Sequence, residues 1–182
     1  GPFVLDLDPA SDGELREELF TENETNVERL FQAPNPQPYE KDAFHAHVSE
    51  HFLDAWSVAK LDHVAPRVDR ALLRALEALG VDTRDVDAEA LLTAYGWEPV
   101  PGVRPFDGAA ELLAGLRSRG YQVGLVTNSM EPMWMRDVEL AAYGLLDHFD
   151  VRLSASDVGF IKPHPAIFGA ALDRLEREPD EV

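Results

Sequence analysis

The chain has 182 residues, 45% of them hydrophobic, and a formal net charge of −18. That length holds one good core, or a core with a small second domain. The charge repels a nucleic-acid backbone and an anionic membrane surface, so neither is expected as a partner. There is no cysteine, hence no disulfide framework and no thiolate site. No run is long and apolar enough to span a membrane and no signal peptide is visible, so a cytoplasmic location is expected. Gly1-Pro2 reads as a protease-cleavage scar.

Phe3-Val-Leu-Asp-Leu-Asp8 reads as a strand in which Asp6 and Asp8 project to the same side. Two carboxylates at a buried strand tip are costly without a compensating cation, which points to a metal; two solvated acids at a strand end are the plainer reading. From Glu14 to Gly96 the pattern is helical. Leu15, Leu19, Val27, Leu30 and Phe31 fall near helical spacing, and Ala33-Pro-Asn-Pro-Gln-Pro38 marks a turn or linker. Asp42–Lys60 follows as a helix, with Phe44, His47, Val48, His51, Phe52, Ala55 and Trp56 on one broad face. Val64–Leu79, closed by Gly80, is another, and Val86–Tyr95 a further one, with Asp85 or Asp87 as its N-cap. His47 and His51 have the spacing of a zinc-binding helix. Val48 stands where such a helix carries glutamate, and structural or surface roles are the expectation.

Trp97–Pro105, with three prolines, returns the chain to a sheet. Gly108–Arg119 is helical, with Ala109, Leu112, Leu113 and Leu116 on one face, and Gly120 stops it. Tyr121–Val126 is a short apolar run that breaks into Thr127-Asn128-Ser129, the pattern of a buried parallel strand whose carboxyl end opens into a loop. In open α/β sheets ligands sit at such ends. A hydroxyl and an amide there suit a phosphate or a carboxylate, although such tips are commonly plain turns. Met133–Tyr143 is helical, and Phe149–Ser154 is a third strand. Ser156–Lys162 reads as a loop, and a helix starts with Pro163 and runs to Arg177. Lys162 is the only lysine after Lys60, either a local positive charge for a site or a solvated surface lysine. The alternation of strand and helix predicts an α/β fold: a Rossmann-like parallel sheet with an all-helical block inserted after the first strand.

These parts resemble the haloacid dehalogenase-like hydrolase superfamily. Gly108-Ala-Ala-Glu-Leu-Leu…Arg119-Gly120…Leu125-Val-Thr-Asn-Ser129 is similar to its second motif. Ser154-Ala-Ser-Asp-Val-Gly…Ile161-Lys-Pro-His-Pro-Ala-Ile-Phe168 is similar to its third, and Phe3–Asp8 to its first, a strand ending Asp-x-Asp. The resemblance implies a core of residues 3–13 and 99–182 and a helical cap over 14–98. It implies that Asp6 is the nucleophile, forming an aspartyl-phosphate, and that Asp8 is the general acid and then the base. Thr127 would hydrogen-bond the transferring phosphoryl group, Asn128 would line the substrate site, and Lys162 would neutralise nucleophile and phosphoryl oxygens. Mg²⁺ would sit on Asp6 and the backbone carbonyl of Asp8, and the partner would be a small phosphorylated substrate.

The chain departs from the family pattern in two places. Pro9-Ala10 follow Asp8 where the family has Gly-Thr, and the sequence stops at Val182, before the fourth strand that completes the family's metal site. The sheet is therefore expected to lack its carboxyl-terminal strand, leaving Phe3–Asp8 as an edge open to self-association. Two other functions stay open: a non-catalytic binding protein on the same fold, and a 2-haloacid dehalogenase, against which Asp8 argues.

Overall fold

The computed structural model describes residues 3–6, 40–99 and 102–182, the first four as backbone. Asp8, Pro9-Ala10, the pattern from Leu15 to Phe31 and the turn at Ala33–Pro38 lie outside the described residues. These residues form two compact units. One holds 3–6, 63–65, 98–99 and 102–182; the other holds 40–62 and 66–97. No described helix is long and apolar enough to cross a membrane.

The first unit is α/β. Three parallel strands, β1 (Phe3–Asp6), β2 (Val123–Thr127) and β3 (Val151–Ser154), form a sheet in the order β1-β2-β3. Parallel strands are buried on both faces, and this explains why β2 is apolar without alternation: its first four residues are all buried. Val123 and Leu125, two apart on β2, share one face. They join Leu113 from α4 (Ala109–Ser118), Met133 and Leu140 from α5 (Met133–Ala142), and Phe149 in one apolar cluster. Each such side chain contributes about 1.5–3 kcal/mol by leaving water. Gly120, at φ 83°, ends α4 by letting its own N–H reach Arg117 and that of Tyr121 reach Leu116. The last long helix, α7 (Pro165–Leu175), packs against β2 and β3 and buries Ile167, Ala171 and Leu175.

The start of β2 is tied to the strand beside it by one carboxylate. Asp150 Oδ2 accepts the Val123 N–H at 2.7 Å and meets Arg117 Nη1 at 2.7 Å, while the Asp150 N–H donates to the Val123 carbonyl at 2.8 Å. Burial alone would raise the Asp150 carboxyl; the Val123 N–H and the Arg117 guanidinium outweigh it and hold the group below its ordinary value.

The second unit is helical. In α1 (Lys41–Asp62), Phe44, Val48, Phe52 and Ala59 are buried at helical spacing. Helix α2 (Val68–Ala78) packs on α1 and buries Val68, Ala71, Leu72, Ala75 and Leu76. Asp69 is also buried. Desolvation would raise its carboxyl, but the flanking Arg67, bonded at 3.0 and 2.7 Å, holds it below the usual value. The shorter α3 (Ala88–Tyr95) begins at Asp87, whose carboxylate accepts from the N–H groups of Glu89 and Ala90. His47 and His51 lie with ring centroids 6.5 Å apart, and no group of three metal-ligating side chains forms among the described residues.

Two expectations need correction. The helix expected from Val64 starts only at Val68, because Pro66 and an extended Arg67 (φ −134°, ψ 128°) precede it and Val64 pairs instead with Phe160. The loop expected over Ser156–Lys162 begins as a helical turn, α6 (Ala155–Val158). Ser154 caps it, and Gly159 at φ 96° ends it.

Candidate active site at the carboxyl ends of the strands

Parallel pairing brings all the strand tips to one edge. Asp6, the last residue of β1, is the register partner of Val126, and Thr127, the last residue of β2, is that of Ser154. Adjacent strands lie about 4.8 Å apart, so the backbones of Asp6 and Val126 are neighbours. Lys162 reaches this edge from the loop between α6 and α7. It is only 7% exposed, and its Nζ donates to the Val126 carbonyl at 3.1 Å. A lysine that far from water is held, not solvated, and its charge acts in a medium where electrostatic interactions are strong. The sheet thus brings Thr127, Lys162 and the backbone of Asp6 to one place. The side chain of Asp6, and the whole of Asp8, lie outside the described residues.

Asn128 is occupied by Lys162 itself. Its Oδ1 accepts the Lys162 N–H at 2.6 Å, and its Nδ2 donates to the Lys162 carbonyl at 3.3 Å. A side-chain amide that satisfies both backbone groups of one residue fixes that residue's position, 34 residues away in sequence. The expectation that Asn128 lines the substrate site therefore meets an amide already engaged in holding the cation.

Behind Asn128 the loop turns inward. Ser129, Met130 and Glu131 are all buried. The Ser129 hydroxyl donates to the Glu131 carboxylate and accepts the Glu131 N–H at 3.3 Å. Ser154, fully buried at the end of β3, lies within hydrogen-bond range of both the Ser129 and Glu131 carbonyls, at 3.0 and 2.6 Å. It also meets the Ser156 hydroxyl at 3.1 Å. Asp157 accepts the Met133 N–H at 2.9 Å, filling an orphan donor at the start of α5. Sequence reasoning passed over this network; its one local signal was three small hydroxyls at the tips of two predicted strands.

Comparison with known proteins places the chain in a family. The family model for haloacid dehalogenase-like hydrolase matches residues 9–182, a span that starts just after Asp6 and Asp8. (S)-2-haloacid dehalogenase 4A of Burkholderia cepacia is 34% identical over 114 residues, covering 63% of this chain and 46% of the relative. Glyceraldehyde 3-phosphate phosphatase of Methanothermobacter thermautotrophicus is 33% identical over 79 residues, covering 43% of this chain and 34% of the relative. The chain thus spans less than half the length of these curated relatives. Among solved structures, the 2-haloacid dehalogenase from Pseudomonas syringae pv. Tomato DC3000 superposes with a TM-score of 0.53 at 25% identity. That match covers 97% of this chain and 73% of the other. The chain belongs to the haloacid dehalogenase-like hydrolases.

Proposed function

We propose that the chain is part of a Mg²⁺-dependent phosphatase that hydrolyses a small phosphate monoester through an aspartyl-phosphate. The observation that carries this reading is the buried Lys162 ammonium at the Val126 carbonyl, beside the strand that ends in Asp6. In a chain of net charge −18, an anionic substrate needs such a local cation.

In this reading an Asp6 oxygen attacks phosphorus as the bond to the leaving oxygen breaks, and Asp8 gives that oxygen its proton. Asp8 then takes a proton from water, which attacks phosphorus, releasing inorganic phosphate and restoring Asp6. Thr127 hydrogen-bonds the phosphoryl oxygens, and Lys162 offsets the charge that gathers on them. A positioned donor of this kind is worth about a hundredfold to a thousandfold in rate. Mg²⁺ belongs to this reading through Asp6 and Asp8, and when bound it supplies charge neutralisation. The helical unit acts as the cap that selects the substrate, and the work is cytoplasmic.

The 34% identity to a haloacid dehalogenase favours a second reading, displacement of halide from carbon. One experiment separates the two: phosphate release from small monoesters with Mg²⁺, beside halide release from 2-haloacids. The phosphatase reading expects phosphate release that both Asp6→Asn and Asp8→Asn abolish. Halide release surviving Asp8→Asn, with no phosphate released, would replace it with the dehalogenase. Turnover unchanged in Asp6→Asn would remove the nucleophile.

A further inference from the structure

Three of the residues between α1 and α2, His63–Ala65, group with the sheet-bearing unit and not with the helices on either side. Their contacts explain why. The Ala65 N–H donates to the Gly159 carbonyl at 2.9 Å, and the Ile161 N–H donates to the His63 carbonyl at 2.9 Å. These bonds flank the antiparallel pair Val64 and Phe160. One step further along the chain is Lys162. Its own backbone is held by Asn128, and the Ile161 carbonyl accepts the His164 N–H at 2.9 Å. The side chains continue the contact: Phe160 stacks on His164 at 4.0 Å, and His63 lies 6.5 Å from the same ring, centroid to centroid. His63 adopts φ 60°, a conformation costly for a residue with a Cβ, and it places the His63 carbonyl toward Ile161.

We propose that His63–Ala65 is a positioning strap for Lys162, which acts together with Asn128 to fix the loop carrying the cation. The inference rests on reading Lys162 as the cation of the active site. A buried ammonium must keep its place to stay within hydrogen-bond range of the Val126 carbonyl. Asn128 grips Lys162 directly. The strap grips the loop at Gly159 and Ile161, so that the turn leading into Lys162 cannot swing out.

Ala65→Pro tests this directly. It removes the N–H that bonds Gly159 and puts ring carbons where that hydrogen was, while Ala65→Ser keeps the donor. The chain has three lysines, Lys41, Lys60 and Lys162, so amine labelling with an acylating reagent can be followed site by site by peptide mass spectrometry. In the parent, Lys162 should label at least tenfold more slowly than the two lysines of α1. Ala65→Pro should speed Lys162 labelling at least tenfold, leave Lys41 and Lys60 unchanged, and lower kcat for phosphate release with little change in KM. Ala65→Ser should behave as the parent. The labelling result does not depend on turnover, so a protein that releases no phosphate refutes the function and leaves the strap tested. Unchanged Lys162 labelling in a folded Ala65→Pro protein overturns the strap. If Ala65→Pro does not fold, amide hydrogen exchange on the parent decides. Slow, concerted exchange of Ala65, Ile161 and Lys162 supports the strap, whereas fast exchange at Ala65 and Ile161 beside a protected Lys162 overturns it.

Discussion

Asp150 offers the sharpest test of how the sheet is held. Asp150→Ala removes the acceptor of the Val123 N–H, at 2.7 Å, on a residue that is itself fully buried. A bond from a buried N–H to a charged acceptor is worth about 1.5–3 kcal/mol. The Arg117 pair adds less, because its side chains are 38% and 29% exposed and water screens them; about 0.2–1 kcal/mol is appropriate. The sum is about 2–4 kcal/mol, which for a chain of this size lowers Tm by roughly 5–15 °C. Arg117→Ala should cost only the smaller part. The effect must also depend on pH. The folded carboxyl titrates below its unfolded value of about 3.9, so its contribution is complete above that value and is lost as pH falls through the folded pKa. Denaturant titrations of parent and variant at pH 7, 5, 4 and 3 should show a constant gap at the upper two values and a narrowing one below. A gap under about 0.5 kcal/mol at pH 7, or one that stays constant down to pH 3, would refute the reasoning.

Two further outcomes are expected. Asp87→Ala removes the cap of α3 and should cost about 1 kcal/mol in thermal unfolding, with Asp87→Asn close to the parent. Among the described strands β1 pairs on one side only, and self-association through it is proposed; a clean monomer by sedimentation at high concentration and high salt would rule that out.

The legible parts of this chain were those set by local pattern. The apolar run ahead of Thr127 gave β2, the Leu113 face gave α4, and Gly120 marked its end within a residue. Lys162 stood out because it is the only lysine after Lys60 in an acidic chain. What escaped depended on distant partners. Val64 looks helical because it extends the spacing of Val68 and Leu72, and only Phe160, nearly a hundred residues on, draws it out of that pattern. The hold of the Asn128 amide on the Lys162 backbone has no local signal, because 34 residues separate the two. Asp87 could be told from Asp85 as the cap only by which carboxylate meets the first helical N–H groups.

The buried Ser154 hydroxyl has a consequence for transplanting active-site loops among relatives. The turn Ser129–Glu131 takes its shape from a side chain on a different strand, which meets two of its carbonyls. Its own sequence is therefore only half of its template. A chimera that imports the residues after Thr127 from a homologue, but keeps β3, inherits a turn whose mould belongs to another chain. Grafts that carry the strand-end serine along with the loop should keep the edge beside Asp6 in shape, because the two segments form one heritable piece although 23 residues separate Glu131 from Ser154.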